Sequence, residues 1–180
     1  MSFLIIDHWK NIENHRATLD ALCDGSNLPF RVWNTGGEGG SECGQPYMGH
    51  LIMGRLEDKP DLVPQPMSNM FFPVVNMLKQ LCDDHDIKFN TLCRSCLNWV
   101  YPIAENDNLM CESHIDHQYQ HSQVLWYLND CDGDTLLYIG NDTVRVTPRK
   151  DRMLLFNGMI QHTSEMPTQG MRKVLVTTFT

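Results

Sequence analysis

Apolar residues recur as Met70, Val74, Met77, Leu78 and Leu81, a series spaced i, i+4, i+7, i+8, i+11 that falls on one face of a helix. The methionines on that face read as core residues. Nearer the N-terminus, Trp9, Ile12, Leu19 and Leu22 follow near-helical spacing, and Asp24-Gly25-Ser26 supplies a stop. After Asp86 the pattern changes to short runs rich in β-branched and aromatic residues, broken by Asn, Asp and Gly. It predicts strands near 96–104, 109–117, 122–129, 134–139, 142–147, 152–157 and 172–179, with turns at 105–108, 130–133 and 140–142. Helices gathered ahead of an all-β half predict an α+β architecture, a double-stranded β-helix (jelly-roll) barrel braced by N-terminal helices. A single domain over 1–180 is expected, with 1–92 as helical support and loops and 93–180 as the barrel core.

Two segments interrupt this pattern. Positions 33–54 hold seven glycines, with no preceding strand signal and no Lys-Ser/Thr ending of the kind that cradles phosphate. A surface loop is the expected reading of 36–54, and a lid over a pocket is the alternative. Residues 60–66 form a proline-spaced connector.

Composition narrows the function classes. The chain has 180 residues, 42% of them hydrophobic, enough for one sizeable core. Acidic residues number 22 against 14 basic ones, a net charge of −8, which disfavours nucleic acid and anionic membrane surfaces as partners. The longest apolar runs fall far short of the ~20 residues needed to cross a bilayer. The first eight residues carry no basic leader, so an intracellular, cytoplasmic chain is expected. Seven cysteines, odd in number and irregularly scattered, predict reduced thiols rather than a disulfide framework. Cys93-Arg94-Ser95-Cys96 has redox or half-zinc-site spacing but no second Cys-x-x-Cys to complete it.

Histidine is concentrated where chemistry is most readily built. Three of the eight histidines fall between 114 and 121. On a strand His114 and Asp116 would project to the same side, an imidazole beside a carboxylate. His162, 46 residues after Asp116, follows the apolar run Met153-Leu154-Leu155-Phe156 and offers a second imidazole. Two His and one carboxylate on one face of an ion leave the opposite positions open, which suits non-haem Fe(II). The alternative is that these are ordinary polar residues near strand ends. Arg172 tilts the balance, because it opens an otherwise apolar strand, Val174-Leu175-Val176. An inward guanidinium needs an anion and binds a carboxylate bidentately. An exposed strand-edge arginine is the other reading.

The order His-x-Asp, His, Arg resembles the Fe(II)/2-oxoglutarate-dependent dioxygenases, particularly their prolyl 4-hydroxylase-like branch. The resemblance covers roughly residues 99–180 and extends beyond the ligands. Tyr101-Pro102, Trp126-Tyr127-Leu128-Asn129, Asp151-Arg152-Met153-Leu154-Leu155-Phe156 and the turn Gly133-Asp134-Thr135-Leu136 are each similar to segments of that family. The resemblance implies that His114, Asp116 and His162 bind Fe(II) and form the catalytic centre. It implies that Arg172 pairs with the distal carboxylate of 2-oxoglutarate, that Tyr127 gives that carboxylate a hydroxyl partner, and that Tyr101 lines the pocket. His117 and His121 stay outside the metal shell. Many family members carry Arg-x-Ser, whereas Arg172 is followed by Lys173 and Val174, so the missing hydroxyl is sought at Thr163, Thr177 or Thr178. The implied reaction consumes O2 and 2-oxoglutarate, releases succinate and CO2, and hydroxylates a peptidyl (prolyl-like) or small-molecule substrate. Two other classes stand beside it: a non-oxidative cupin-like metal-binding jelly roll, and a ligand-binding barrel, for instance a homodimer burying the methionine-rich helix.

Overall fold

In a computed structural model describing residues 2–33, 47–54, 65–102 and 110–180, the chain opens with strand β1 (Phe3–Ile6) and helix α1 (Arg16–Asp24). β2 (Arg31–Trp33), β3 (Tyr47–Met53) and helix α2 (Phe71–Asp84) follow, then β4 (Leu92–Val100) and β5 (Ser122–Tyr127). β6 (Thr135–Ile139), β7 (Asp142–Val146), β8 (Met153–Asn157), β9 (Gln161–Ser164) and β10 (Arg172–Phe179) complete it. One antiparallel sheet has the order β1-β8-β5-β10-β4-β3-β2, and a smaller one the order β7-β6-β9. The two face each other as the double-stranded β-helix that the sequence predicts.

Strand β5 shows why this half of the sequence reads so clearly. Alternate residues point to opposite faces of a sheet, and here both faces are covered. Val124 and Trp126 join the core beneath the helices, while Leu125 and Tyr127 join the core between the sheets. A strand buried on both sides becomes a continuous apolar run. The inner core is Leu125, Tyr127, Leu137, Leu154, Phe156, Val174 and Val176, among others. The outer core packs Leu97, Trp126, Leu155 and Leu175 against Leu19 and Leu22 of α1 and Val74, Met77, Leu78 and Leu81 of α2.

α2 forms with the expected face inward, whereas the N-terminal helix begins only at Arg16 and buries Leu19 and Leu22, with Ile12 in a preceding 3-10 turn and Trp9 ahead of it. Pro73 lies in the first turn of α2, where a missing N–H breaks no helical bond. α1 stops at Gly25, whose φ of 63° is left-handed and whose N–H bonds Ala21 O. Trp99 packs so closely there that a Cβ on Gly25 would come within 2.5 Å of its ring.

Other elements differ from the sequence reading. Besides its helices, the N-terminal half supplies β1, β2 and β3, which widen the large sheet; β3 occupies the end of the glycine-rich segment. The strand predicted at 96–104 begins earlier and ends before Pro102. Of the strand predicted at 109–117, the described residues 110–117 form no regular strand: they make two isolated bridges, Met110↔Glu165 and His114↔His162. β9 was not predicted. The glycine-rich positions 34–46, the connector positions 55–64 and the turn 105–108 lie outside the described residues. Among the described residues, no helix is long and apolar enough to cross a membrane.

Candidate active site

His114 and His162 are held by their own backbones. Each N–H donates to the other's carbonyl at 3.0 Å, and the two rings sit 4.6 Å apart, centroid to centroid. Each ring is fixed again by a carbonyl two residues upstream: His114 Nδ1 lies 3.0 Å from Glu112 O, and His162 Nδ1 3.1 Å from Ile160 O. A carbonyl oxygen only accepts, so Nδ1 carries a proton in both rings, which makes Nε2 the lone-pair nitrogen of the neutral imidazole. This is the tautomer a metal-ligating histidine adopts, with its second nitrogen anchored by an outer partner.

Asp116 completes the group. It is 4% exposed and places Oδ2 3.6 Å from His162 Nε2, while Oδ1 accepts a 2.8 Å bond from Arg94 on β4. Burial alone would raise its pKa, but the positive charge of Arg94 on Oδ1 outweighs that effect. The carboxyl is held well below the usual carboxylate range and is ionised at neutral pH. One ligand atom from each of His114, Asp116 and His162 falls within 4.8 Å of the others. Two neutral imidazoles and one carboxylate on a common point fit a divalent ion with open positions, Fe(II) foremost among them.

A second polar group lies farther along the same barrel. Arg172 begins β10 and is only 5% exposed. Its Nε donates to Gly133 O at 3.2 Å, a terminal nitrogen donates to Thr135 Oγ1 at 3.0 Å, and its carbon centre stands 5.7 Å from the Tyr127 ring centroid. Tyr127 O–H donates to the same Thr135 oxygen at 2.7 Å. Burial pushes the Tyr127 phenol above its ordinary pKa, partly offset by the Arg172 charge, so it stays protonated. Among the described residues no carboxylate lies within ion-pair distance of Arg172. A buried guanidinium without a counter-charge is costly. β6 links the two groups: Leu137 pairs with His162 and Thr135 with Ser164, so both share one face, one ladder step of about 7 Å apart.

The structure thus brings His114, Asp116 and His162 together, and Arg172 together with Tyr127. It does not bring Tyr101 to either group: Tyr101 is 45% exposed and its hydroxyl donates to Met48 Sδ. None of the three threonines proposed beside Arg172 reaches it. Thr163 bonds Cys111 O, Thr177 meets Ser95 on the outer face, and Thr178 Oγ1 pairs with His117 Nε2 at 2.8 Å. The hydroxyl comes instead from Thr135, which faces inward just after the Gly133-Asp134 turn. His117 and His121 are buried outside the triad, their rings 4.8 Å apart and edge to face.

Cys93 and Cys96 are both buried and in no disulfide, and neither belongs to a metal-ligand cluster among the described residues, so their spacing builds neither a dithiol nor half a zinc site. The expectation of reduced thiols throughout is corrected at Cys111, which is disulfide-bonded. Sequence reasoning also passed over Arg94, hidden between those two cysteines, and Gln123, whose buried amide nitrogen lies 3.4 Å from His162 Nε2.

No protein-family model matches the sequence, and no curated protein matches it. Solved structures do share its architecture. An oxidoreductase of the 2OG-Fe(II) oxygenase family from Burkholderia pseudomallei superimposes with a TM-score of 0.75 at 15% identity, over 99% of this chain and 85% of that one. A prolyl hydroxylase from Trichoplax adhaerens, solved with a hypoxia inducible factor oxygen degradation domain peptide fragment, gives 0.67 at 18% identity over 99% and 83%. HygX from Streptomyces hygroscopicus, solved with nickel and 2-oxoglutarate bound, gives 0.60 at 15% identity over 99% and 82%. At these identities the likeness is one of architecture: the chain has the double-stranded β-helix fold of the 2OG-Fe(II) oxygenases.

Proposed function

We propose that the protein is an Fe(II)- and 2-oxoglutarate-dependent dioxygenase that hydroxylates a peptidyl, prolyl-like side chain or a small molecule, forming succinate and CO2. The observation that carries this reading is Arg172, buried beside two hydroxyls with no carboxylate among the described residues to balance it. A metal-binding jelly roll without an oxo-acid co-substrate has no use for such a charge. The likeness to a prolyl hydroxylase solved with a peptide supports the peptidyl class.

In this reading His114, Asp116 and His162 hold the metal through two Nε2 lone pairs and one carboxylate oxygen. Arg172 takes the distal carboxylate of the co-substrate through charge-assisted bonds, and the Tyr127 and Thr135 hydroxyls complete its shell. Leu125, Leu137, Val174 and Val176 belong to the apolar core between the sheets, which keeps water from both groups. With both bound, Fe(II) and 2-oxoglutarate supply the oxidising power: one atom of O2 goes to the substrate C–H and the other to succinate. The protein contributes alignment and a dry pocket, while the cofactor carries the hard chemistry.

Anaerobic addition of Fe(II) and 2-oxoglutarate tests the proposal. The expected result is a visible charge-transfer band that needs both additions, followed by O2-dependent succinate formation. Absence of the band, with no succinate formed, overturns it.

A further inference from the structure

The three candidate ligands are not equally anchored. His114 and His162 are locked together by a pair of backbone hydrogen bonds, and each ring is tied to a carbonyl two residues upstream. Asp116 lies on a bend outside any strand. Arg94, which stands opposite Thr178 in the β4–β10 register, ties it to the large sheet by donating to Oδ1 at 2.8 Å. Both partners are well shielded, at 11% side-chain exposure for Arg94 and 3% for Asp116.

A carboxylate beside a divalent ion can offer one oxygen or two. Were Oδ1 also free to bind, Asp116 would take a second coordination position that an incoming ligand needs. The guanidinium sits on Oδ1, while Oδ2 is the oxygen that lies toward His162. We infer that Arg94 is the positioning residue of this metal centre: it spans from β4 to the ligand-bearing segment, holds Asp116 to one metal-facing oxygen and offsets part of its charge. The inference rests on the triad being a metal centre. It also gives the sequence Cys93-Arg94-Ser95-Cys96 a function that lies in the arginine rather than in the thiols.

The test uses the full chain and Co(II), whose absorption spectrum reports coordination directly. Arg94→Gln is expected to weaken Co(II) binding ~10–100-fold, the usual cost of losing an outer partner of a metal ligand, and to alter the Co(II) spectrum. Arg94→Lys, which keeps the charge but not the fork, should recover part of the affinity while still shifting the spectrum. Thermal unfolding in chelator checks that each variant folds; if Arg94→Gln does not, the spectrum of Arg94→Lys decides. Affinity and spectrum indistinguishable from wild type overturn the role of Arg94 and leave the triad standing. A wild-type chain whose Co(II) binding is absent, or survives His162→Ala, overturns both.

Discussion

Arg94 and Asp116 form an ion pair at 2.8 Å inside the barrel, joining the large sheet to the segment that carries two of the three candidate metal ligands. Removing one member of a buried pair strands the other, whereas removing both in favour of apolar groups leaves no charge to desolvate. Asp116→Ala should therefore cost the metal-free protein on the order of 3 kcal/mol. His114→Ala, at a half-buried position whose backbone bridge is kept, should cost about 1 kcal/mol. The double variant Arg94→Leu/Asp116→Leu should recover most of the loss caused by Asp116→Ala. Chemical denaturation of the three variants in chelator checks this order, and metal content should be lost in all of them. Equal destabilisation by His114→Ala and Asp116→Ala would count against the buried-pair account.

Arg172 makes the opposite prediction for stability. It stands buried without a counter-charge among the described residues, so Arg172→Leu should leave the melting temperature of the metal-free protein unchanged or raise it. The same change should weaken 2-oxoglutarate binding ~10–100-fold, the equivalent of one or two charge-assisted hydrogen bonds. Metal affinity should hold, because the arginine is one ladder step away from the triad. Thr135→Val should weaken co-substrate binding less and in the same direction. Titrating 2-oxoglutarate into the anaerobic Fe(II) protein measures both effects. Parallel loss of metal and co-substrate would contradict the separation of the two groups.

How far the sequence exposed this arrangement depended on where burial and function coincide. β5, β8 and β10 are buried on both faces and read as apolar runs, and α2 shows its buried face through its spacing. β9 does not: Gln161-His162-Thr163-Ser164 has no apolar residue, because its inward positions carry a candidate ligand and a hydroxyl. The stretch 109–117 has strand-like composition, yet the chain bends after His114, so it is a bend and not strand alternation that brings Asp116 near His114. Thr135 was missed for a different reason. Spacing along β10 directs attention to hydroxyls on the same strand, whereas the partner of Arg172 comes from β6 across the barrel, a proximity that only tertiary packing creates. Arg94 went unremarked because the cysteines flanking it were the more conspicuous residues.

The helix layer carries its own pH dependence. Trp9 Nε1 and Asn11 Nδ2 donate to Asp84 Oδ2 at 2.8 and 2.6 Å, and Trp9 in turn packs edge-on against Trp126. Desolvation pushes the Asp84 carboxyl up, but the bonds from Asn11, Trp9 and Lys10 together hold it below its ordinary value. A carboxyl with a depressed folded pKa stabilises the fold above its unfolded pKa, and that contribution fades as pH falls through the folded one. Wild type should therefore melt above Asp84→Asn at neutral pH, and the gap should close below a pH of about 4. A gap that stays constant from neutral to acidic pH would show that the carboxylate charge is not what stabilises this junction.

Gly133 backs the Arg172 side chain. Its carbonyl receives Arg172 Nε, and a Cβ at this position would lie 2.8 Å from Glu165 O and 3.3 Å from Arg172 Cδ. The first neighbour is backbone and cannot turn aside, so Gly133→Ala must displace either the turn or the Arg172 side chain, at a cost of ~1–3 kcal/mol by comparison with overpacked cores. Gly140 offers the control. It sits at the β6–β7 turn with φ of 63° and nothing within 4 Å of a Cβ, so Gly140→Asn, which tolerates that backbone, should be nearly silent. Gly133→Ala is expected to lower the melting temperature and weaken 2-oxoglutarate binding together, while Gly140→Asn changes neither. Because the crowded atoms belong to Glu165, Pro167 and Arg172 and not to the triad, Co(II) affinity should survive Gly133→Ala. Loss of Co(II) binding in this variant would mean that the turn supports the metal ligands as well as the arginine.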